Sequence, residues 1–294
     1  MEERYDLAIV GAGLSALSML SADASNARTV VLDYQEAAGG FLQPLLPAAG
    51  FEDAWELTRT FEAPAGVTTC FGTTAVGLLP ALNPGEPHIV MVRQRQGTRQ
   101  IRAQRVLIAC GGLEVTREHA QIPGTRPAGV MTPILALQLL ARGYLPGRQA
   151  LVYGSGRYAE ATARRLSEAG LQVTHIASAA NAGGRDGHGG VADEIVEIVG
   201  FPRLEGVRLR RAGQIVEQEA DMLVYAAGML ANTHWLKGSG ILTRENGAIQ
   251  VDAGYQTNIA GIYATGTAVA PSLDHSNSIT MGKEVASLIA GGLS

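Results

Sequence analysis

The chain has 294 residues, 46% hydrophobic and 17% charged, which supports a sizeable core and excludes a disordered chain. Its 23 basic and 27 acidic residues leave a net charge of −4, which excludes a dominant basic footprint for nucleic acid. Glycine is the outlier, with 37 residues against an average usage of about 7% and no collagen-like period, so the glycines mark turns and close backbone approaches.

Met1-Glu2-Glu3-Arg4 is acidic and leads straight into a strand pattern, unlike a signal peptide. Residues 5–10 (YDLAIV) predict a short buried strand, followed at once by Gly11-Ala12-Gly13-Leu14-Ser15-Ala16. A helix over 14–24 and a strand over 29–33 close a βαβ unit. Helical spacing returns over 51–61. Strand-like pieces occupy 67–79, 88–95 and 99–109, with Asn83-Pro84-Gly85 as a turn, and the last runs into Gly111-Gly112. Ile122-Pro123-Gly124 and Arg126-Pro127 mark a linker, and a helix is expected over 133–142. Strand 150–153, Gly154-Ser155-Gly156 and a helix over 158–169 then repeat the first unit. Further strands are expected over 171–177, 221–226 and 261–264, with a Gly-rich loop over 178–190 and a final helix from about Ser278. No run of 18 apolar residues occurs, so no membrane span is expected. Cys70 and Cys110 form no CxxC pair, and such sparing cysteine use suits a reducing, cytoplasmic location.

The repeat organises the chain. A strand–GxGxx–helix unit occurs twice, and each time a later apolar strand ends in glycine, at 105–111 and at 221–228. The expected fold is α/β: two Rossmann-like dinucleotide-binding domains, the second inserted into the first. The expected segments are 1–122, 123–234 for the insertion, and 235–294 for completion of the first domain. In the first unit Gly11 permits the tight turn, Gly13 lets the backbone approach a pyrophosphate, and Ala16 permits close helix–strand packing. The helix start at Leu14-Ser15 offers N–H groups to phosphate. Asp33, at the tip of the next strand, stands where an acid accepts hydrogen bonds from ribose hydroxyls. The second unit keeps Gly154, Gly156 and Ala159, but its strand ends at Ala177-Ser178 with no carboxylate, and Arg185 is the nearest cation. A working and a vestigial second site both fit this pattern.

These motifs, with Gly39-Gly40, Ala109-Cys110-Gly111, Ala227-Gly228 before Asn232-Thr233, and the stretch Thr257 to Gly266 (TNIAGIYATG), resemble the pyridine nucleotide-disulfide oxidoreductase superfamily. The resemblance implies FAD in the first domain and NAD(P)H in the insertion. It brings in Gly40, Cys110, Gly111, Gly266, Thr267, Ser278 and Ile279 on the FAD side and Glu160 on the NAD(P)H side. The final helix would point its N-terminus at the flavin. Residues 114–132 (EVTREHAQIPGTRPAGVMT) resemble a subgroup associated with anaerobic glycerol-3-phosphate dehydrogenase and with alpha subunits of opine, hydroxyproline and hydrogen-cyanide-synthase complexes. Thr267 replaces the acid usual after Ala-x-Gly, and no cysteine pair or iron–sulfur cluster motif is present.

His275, just before the final helix, is the candidate proton relay. Cys110 and Cys70 suit packing, and His119, His188 and His234 show no metal-ligand spacing, so no metal is expected. The expected activity is hydride transfer between NAD(P)H and FAD, with electrons passed to a partner or small acceptor and no redox-active disulfide. The alternative is an FAD-binding subunit of a heteromeric amine or hydroxy-acid dehydrogenase. Either reading implies a homo- or hetero-oligomer, without nucleic acid.

Overall fold

The computed structural model describes residues 4–22, 27–178 and 193–291. In chain order the elements are β1 (Arg4–Val10), α1 (Leu14–Ala22), β2 (Thr29–Leu32), α2 (Glu52–Arg59), β3 (Val67–Cys70), β4 (Thr74–Leu79), β5 (His88–Gln94), β6 (Gly97–Ile108) and β7 (Gly112–Glu114). There follow β8 (Val130–Met131), α3 (Pro133–Ala141), β9 (Gln149–Tyr153), α4 (Arg157–Glu168), β10 (Gln172–Ile176), β11 (Glu194–Val199), β12 (Gly206–Arg211), β13 (Gln214–Glu219) and β14 (Met222–Tyr225). β15 (Met229–Ala231), β16 (Ile262–Ala264) and α5 (Ser276–Gly291) complete them. The chain forms two compact units. One takes Met1–Gln43, Asp53–Leu113 and Leu230–Ser294; the other takes Pro44–Glu52 and Glu114–Met229.

In the first unit β3, β2, β1, β6 and β16 run parallel, with Val10 opposite both Leu32 and Ile108 and Ala264 also opposite Ile108. β5 and β4 extend the sheet antiparallel from the first half of β6. β1 lacks apolar–polar alternation because both of its faces are covered. Tyr5, Ala8 and Val10 pack with Val90, Val106, Ile262 and Trp235. Leu7 and Ile9 pack with Met19 of α1 and Val285 and Ile289 of α5. The two helices meet at Gly282, where a β-carbon would lie 2.3 Å from the Ser15 carbonyl oxygen. Beside it Ser18 Oγ donates to the Ile279 carbonyl at 2.7 Å.

The second unit has a parallel sheet in the order β10-β9-β14-β8. Leu151, Tyr153 and Leu223 of that sheet pack against Ile195, Val207 and Leu209 of the antiparallel meander β11-β12-β13. The architecture is α/β, with the second Rossmann-like unit inserted into the first.

Three details differ from the sequence expectations. The strand expected over 67–79 is two strands, parted where the N–H groups of Gly72 and Thr73 turn back to the carbonyls of Gln35 and Asp33 at 2.9 and 2.7 Å. The final helix starts at Ser276 rather than Ser278. The meander over 194–219 was not foreseen. Its outward positions form ion pairs, Arg208 with Glu197 and Glu217 and Arg210 with Glu194, which dilute the apolar run. The first helix is described as far as Ala22; residues 23–26, which include its expected end, and, beyond Ser178, the expected Gly-rich loop with Arg185 and His188 lie outside the described residues.

Candidate functional site

The first glycine loop links β1 to α1. Gly11 has φ +108, and a β-carbon there would lie 2.2 Å from the Ala109 carbonyl oxygen, so the turn itself demands glycine. Gly11 N donates to the Leu32 carbonyl at 2.7 Å. Ala12 N donates to Asp33 Oδ2 at 2.6 Å, and Gln35 N donates to Asp33 Oδ1 at 2.8 Å. Gly13 differs from Gly11: a β-carbon there would meet only Gly40 Cα, at an ordinary 3.8 Å. Nothing in the chain's own packing requires glycine at 13. Gly40 faces it at φ +67, where a β-carbon would come within 3.0 Å of Gly13 Cα. Two bare backbones thus form a shallow cradle at the start of α1.

A cavity of about 350 Å³ opens there. Its wall brings together Gly11, Gly13, Leu14, Ser15, Asp33, Gly40, Cys110, Gly111, Gly266, Thr267, His275 and Ser278, residues expected from sequence to share one site. Ile279 does not line it; its carbonyl is taken by Ser18. Ser15 Oγ and Thr265 Oγ1 are 2.9 Å apart, and Thr267 Oγ1 lies 3.5 Å from Ser278 Oγ. The ends of α1 and α5 are therefore edged with neutral hydroxyls.

Burial raises the Asp33 carboxyl above its usual range, against the pull of the Gln35 and Ala12 N–H groups. Burial also pushes the Cys110 thiol up to about 11, against a side-chain hydrogen bond from Trp235. Such a thiol stays protonated near neutrality and is no nucleophile; its Sγ donates to the Asn232 carbonyl at 3.2 Å. His275 Nε2 lies 2.8 Å from Asp53 Oδ1, with the His275 side chain 1% exposed and that of Asp53 54% exposed. Burial would raise Asp53, but the hydrogen bonds from His275 and the Ala54 N–H, with the His275 charge, outweigh it and hold the carboxyl below its usual range.

The second glycine loop sits in the other unit and repeats the same construction. Gly154 N donates to the Ile176 carbonyl at 2.9 Å, as Gly11 does to Leu32. A β-carbon on Gly154 would strike Ala226 at 2.7 Å, as one on Gly11 strikes Ala109. The register puts Ala177 at the place of Asp33. The tie between loop and strand tip is inverted: Ser155 Oγ accepts from Ser178 N at 3.1 Å and donates to the Ser178 carbonyl at 3.2 Å. Gly156 has φ +87 with open space around it, and Glu160 stands exposed in the first turn of α4.

Residues 5–282 match the family described as pyridine nucleotide-disulphide oxidoreductase. The chain belongs to that family. As a pyridine nucleotide-disulphide oxidoreductase it is an oxidoreductase enzyme. No curated protein matches its sequence. Among solved structures it is similar to L-proline dehydrogenase from P. horikoshii, at TM-score 0.73 and 21% identity, over 100% of this chain and 57% of that one. The chain thus spans just over half the length of that neighbour. It is also similar to T. acidophilum thioredoxin reductase, at TM-score 0.73 and 20% identity over 100% of both chains. A third neighbour is Kutzneria sp. 744 ornithine N-hydroxylase, at TM-score 0.66 and 16% identity over 99% of this chain and 100% of that one. These likenesses show the shared fold.

The structure adds residues that sequence reasoning missed in this family member. Asp53, 222 positions from His275, gave no local signal because only the fold joins them. Thr73 and Trp235 reach the cavity from the break after β3 and from the turn after β15. Gln35 had a signal, two positions past Asp33, that was not used. Among the described residues no group of three or more His, Cys, Asp or Glu gathers as a metal site, and no helix is long and apolar enough to cross a membrane.

Proposed function

We propose that this chain binds FAD at Gly11, Gly13, Leu14, Ser15, Asp33, Gly40, Cys110, Gly111, Gly266, Thr267 and Ser278, with Ile279 supporting them through α5, and uses it to accept hydride from NAD(P)H. The single observation that carries the reading is Gly13: it is glycine without need in the chain's own packing, at a helix N-terminus facing a second bare glycine. That is the vacancy a diphosphate needs for close approach. When bound, FAD supplies two-electron acceptance and one-electron release. The chain's residues hold the diphosphate on loop N–H groups, offer Asp33 to ribose hydroxyls, and surround the remainder with Thr265, Thr267 and Ser278. His275, linking the buried wall to half-exposed Asp53, is the group placed to move a proton between cavity and solvent. Gly154, Gly156 and Glu160 would shape the NAD(P)H site. Electrons then pass to a partner protein or small acceptor, without a redox disulfide. The FAD domain, 1–122 and 235–294 by sequence, and the NAD(P)H domain, 123–234, would follow the units of the fold instead, with Glu114–Met229 on the NAD(P)H side and Leu230–Ser294 on the FAD side, and the location would be cytoplasmic.

Anaerobic addition of NADH or NADPH to the purified protein tests this directly. Bleaching of the flavin spectrum is expected; absence of flavin after reconstitution with FAD would overturn the cofactor assignment.

Ala177 favours a second reading. With no acid at the ribose position and a hydroxyl tie in its place, the second unit would be structural. The chain would then be the FAD-bearing subunit of a heteromeric amine or hydroxy-acid dehydrogenase, in keeping with the subgroup that residues 114–132 resemble. Failure of both nucleotides to bleach bound flavin, with co-purification of a substrate-oxidising partner, selects this reading.

A further inference from the structure

His88 opens β5, is 4% exposed and does not line the cavity. Its Nδ1 accepts a hydrogen bond from Ala81 N at 3.0 Å. A backbone N–H at that distance requires an unprotonated Nδ1, so the ring is neutral and carries its proton on Nε2. Nε2 donates to the Ala260 carbonyl, and a β-carbon on Gly261 would lie 2.8 Å from it. Gly261, at φ +79, is thus glycine where the ring presses closest. The same residue begins the junction of β16 with β6, its carbonyl accepting from Val106 N at 3.0 Å. One imidazole therefore joins the loop between β4 and β5 to the segment that carries Thr265, Gly266 and Thr267 into the cavity wall. Few charges surround the ring. On its face the register sets Ala103 of β6 beside it and Tyr5 of β1 next, with the Arg28 guanidinium 5.0 Å from the centre of the Tyr5 ring. Arg102 flanks Ala103 and alternates to the opposite face, and Arg105 donates to the Ile289 carbonyl at 2.6 Å. Glu86 is the charged residue of the loop over 80–87 and is bonded to Asn83, while 256–261 holds none. Burial keeps the ring below its usual range against the pull of the Ala260 bond, and none of these charges contributes.

We propose that His88 is an acid-sensitive clasp on the segment that closes the cavity: neutral, it pins Ala81 to Ala260 and Gly261 at the start of β16; protonated, it lets go of Ala81. A proton added at Nδ1 meets the Ala81 N–H, donor against donor, and that contact must open. Cofactor retention should follow the clasp, a consequence that rests on the FAD reading above.

The test compares the full chain with His88→Gln, whose amide can accept from Ala81 and donate to Ala260 without titrating. A ring kept neutral in the fold gives its full support above the unfolded value of about 6.5 and loses it as pH falls. With both proteins freed of flavin and unfolded in urea, the unfolding constant of wild type relative to His88→Gln is expected to rise about ten-fold from about pH 7.5 to about pH 5.5. Loaded with FAD, wild type is expected to release it roughly five-fold faster or more at the lower pH, while His88→Gln keeps its rate. Amide exchange on the flavin-free wild type, corrected for its intrinsic pH dependence, locates the opening: the Ala81 N–H should lose protection in acid relative to the β5–β6 ladder. This arm decides if His88→Gln does not fold. Parallel pH courses for the two proteins in unfolding or in FAD release, or Ala81 protection that follows the ladder, overturn the proposal. A wild-type chain that takes up no FAD brings down the FAD reading, and the unfolding and exchange arms, which need no flavin, still decide the clasp.

Discussion

Gly11 and Gly13 stand two positions apart and are glycine for different reasons. A side chain at Gly11 collides with the Ala109 carbonyl and strains φ +108, so Gly11→Ala is expected to destabilise the fold by about 2 kcal/mol or more, read by urea unfolding. Gly13→Val should leave the flavin-free fold within about 1 kcal/mol of wild type yet abolish flavin uptake, read by absorbance after reconstitution. Equal uptake by Gly13→Val would sink the assignment of the loop. Both glycines and their separate roles were legible in the sequence as a motif; what lies across from each, the Ala109 carbonyl for Gly11 and Gly40 for Gly13, was not. Asp53 was not legible at all. Its carboxyl titrates below the unfolded value of about 3.9, so its contribution to stability is full above that value and is lost as pH falls through the lower folded one. The difference in unfolding free energy between wild type and Asp53→Asn should therefore be present at about pH 6 and close in acid below the unfolded value. A difference that is flat across that range would show that the pairing with His275 carries no charge dependence.

Among the elements, the crossing of α1 and α5 and the second glycine loop are the sensitive places. Gly282→Val puts a side chain into the Ser15 carbonyl and should cost about 1–3 kcal/mol. It should also weaken FAD retention, because the heads of both helices edge the cavity. Gly156→Val meets no neighbour and strains only φ +87. It should stay yellow and reducible by dithionite but lose rapid reduction by NAD(P)H in stopped-flow. Reduction at the wild-type rate at equal nucleotide concentration would remove that loop from the hydride path. Elements covered on both faces, such as β1 and β9, were legible as short apolar runs bounded by glycine. The meander β11-β12-β13 was not, because its exposed face is built from Arg and Glu rather than from turn-forming residues. The break after β3 was hidden for another reason: the backbone of Gly72 and Thr73 leaves the sheet to bond Gln35 and Asp33, a choice made by tertiary contacts.

For the whole molecule, a ligand that binds only the folded chain stabilises it by mass action. FAD at 100 times its Kd should add about 2.7 kcal/mol, a rise of roughly 5–10 °C in melting temperature for a chain of this size, read by scanning calorimetry with and without FAD. No rise would mean that the cavity is not a flavin site. The insertion was legible at this scale because the strand–glycine–helix unit occurs twice, and a repeat needs no knowledge of contacts. The order of the segments along the chain also sets a clock. The cradle proposed for a diphosphate lies between Gly11 and Asp33, but the wall that closes it comes from Thr265, Thr267 and Ser278, with β16 joining β6 only after the whole inserted unit has passed. About 245 positions separate Asp33 from Ser278, so a ribosome working at ~5–20 residues per second leaves the first half-site waiting for roughly ten to fifty seconds. From the making of β6 until β16 arrives, the edge of β6 that receives β16 is unpaired. Flavin capture at the proposed site would thereby wait until α5 has been made, and a nascent chain interrupted inside the insertion would carry an open sheet edge.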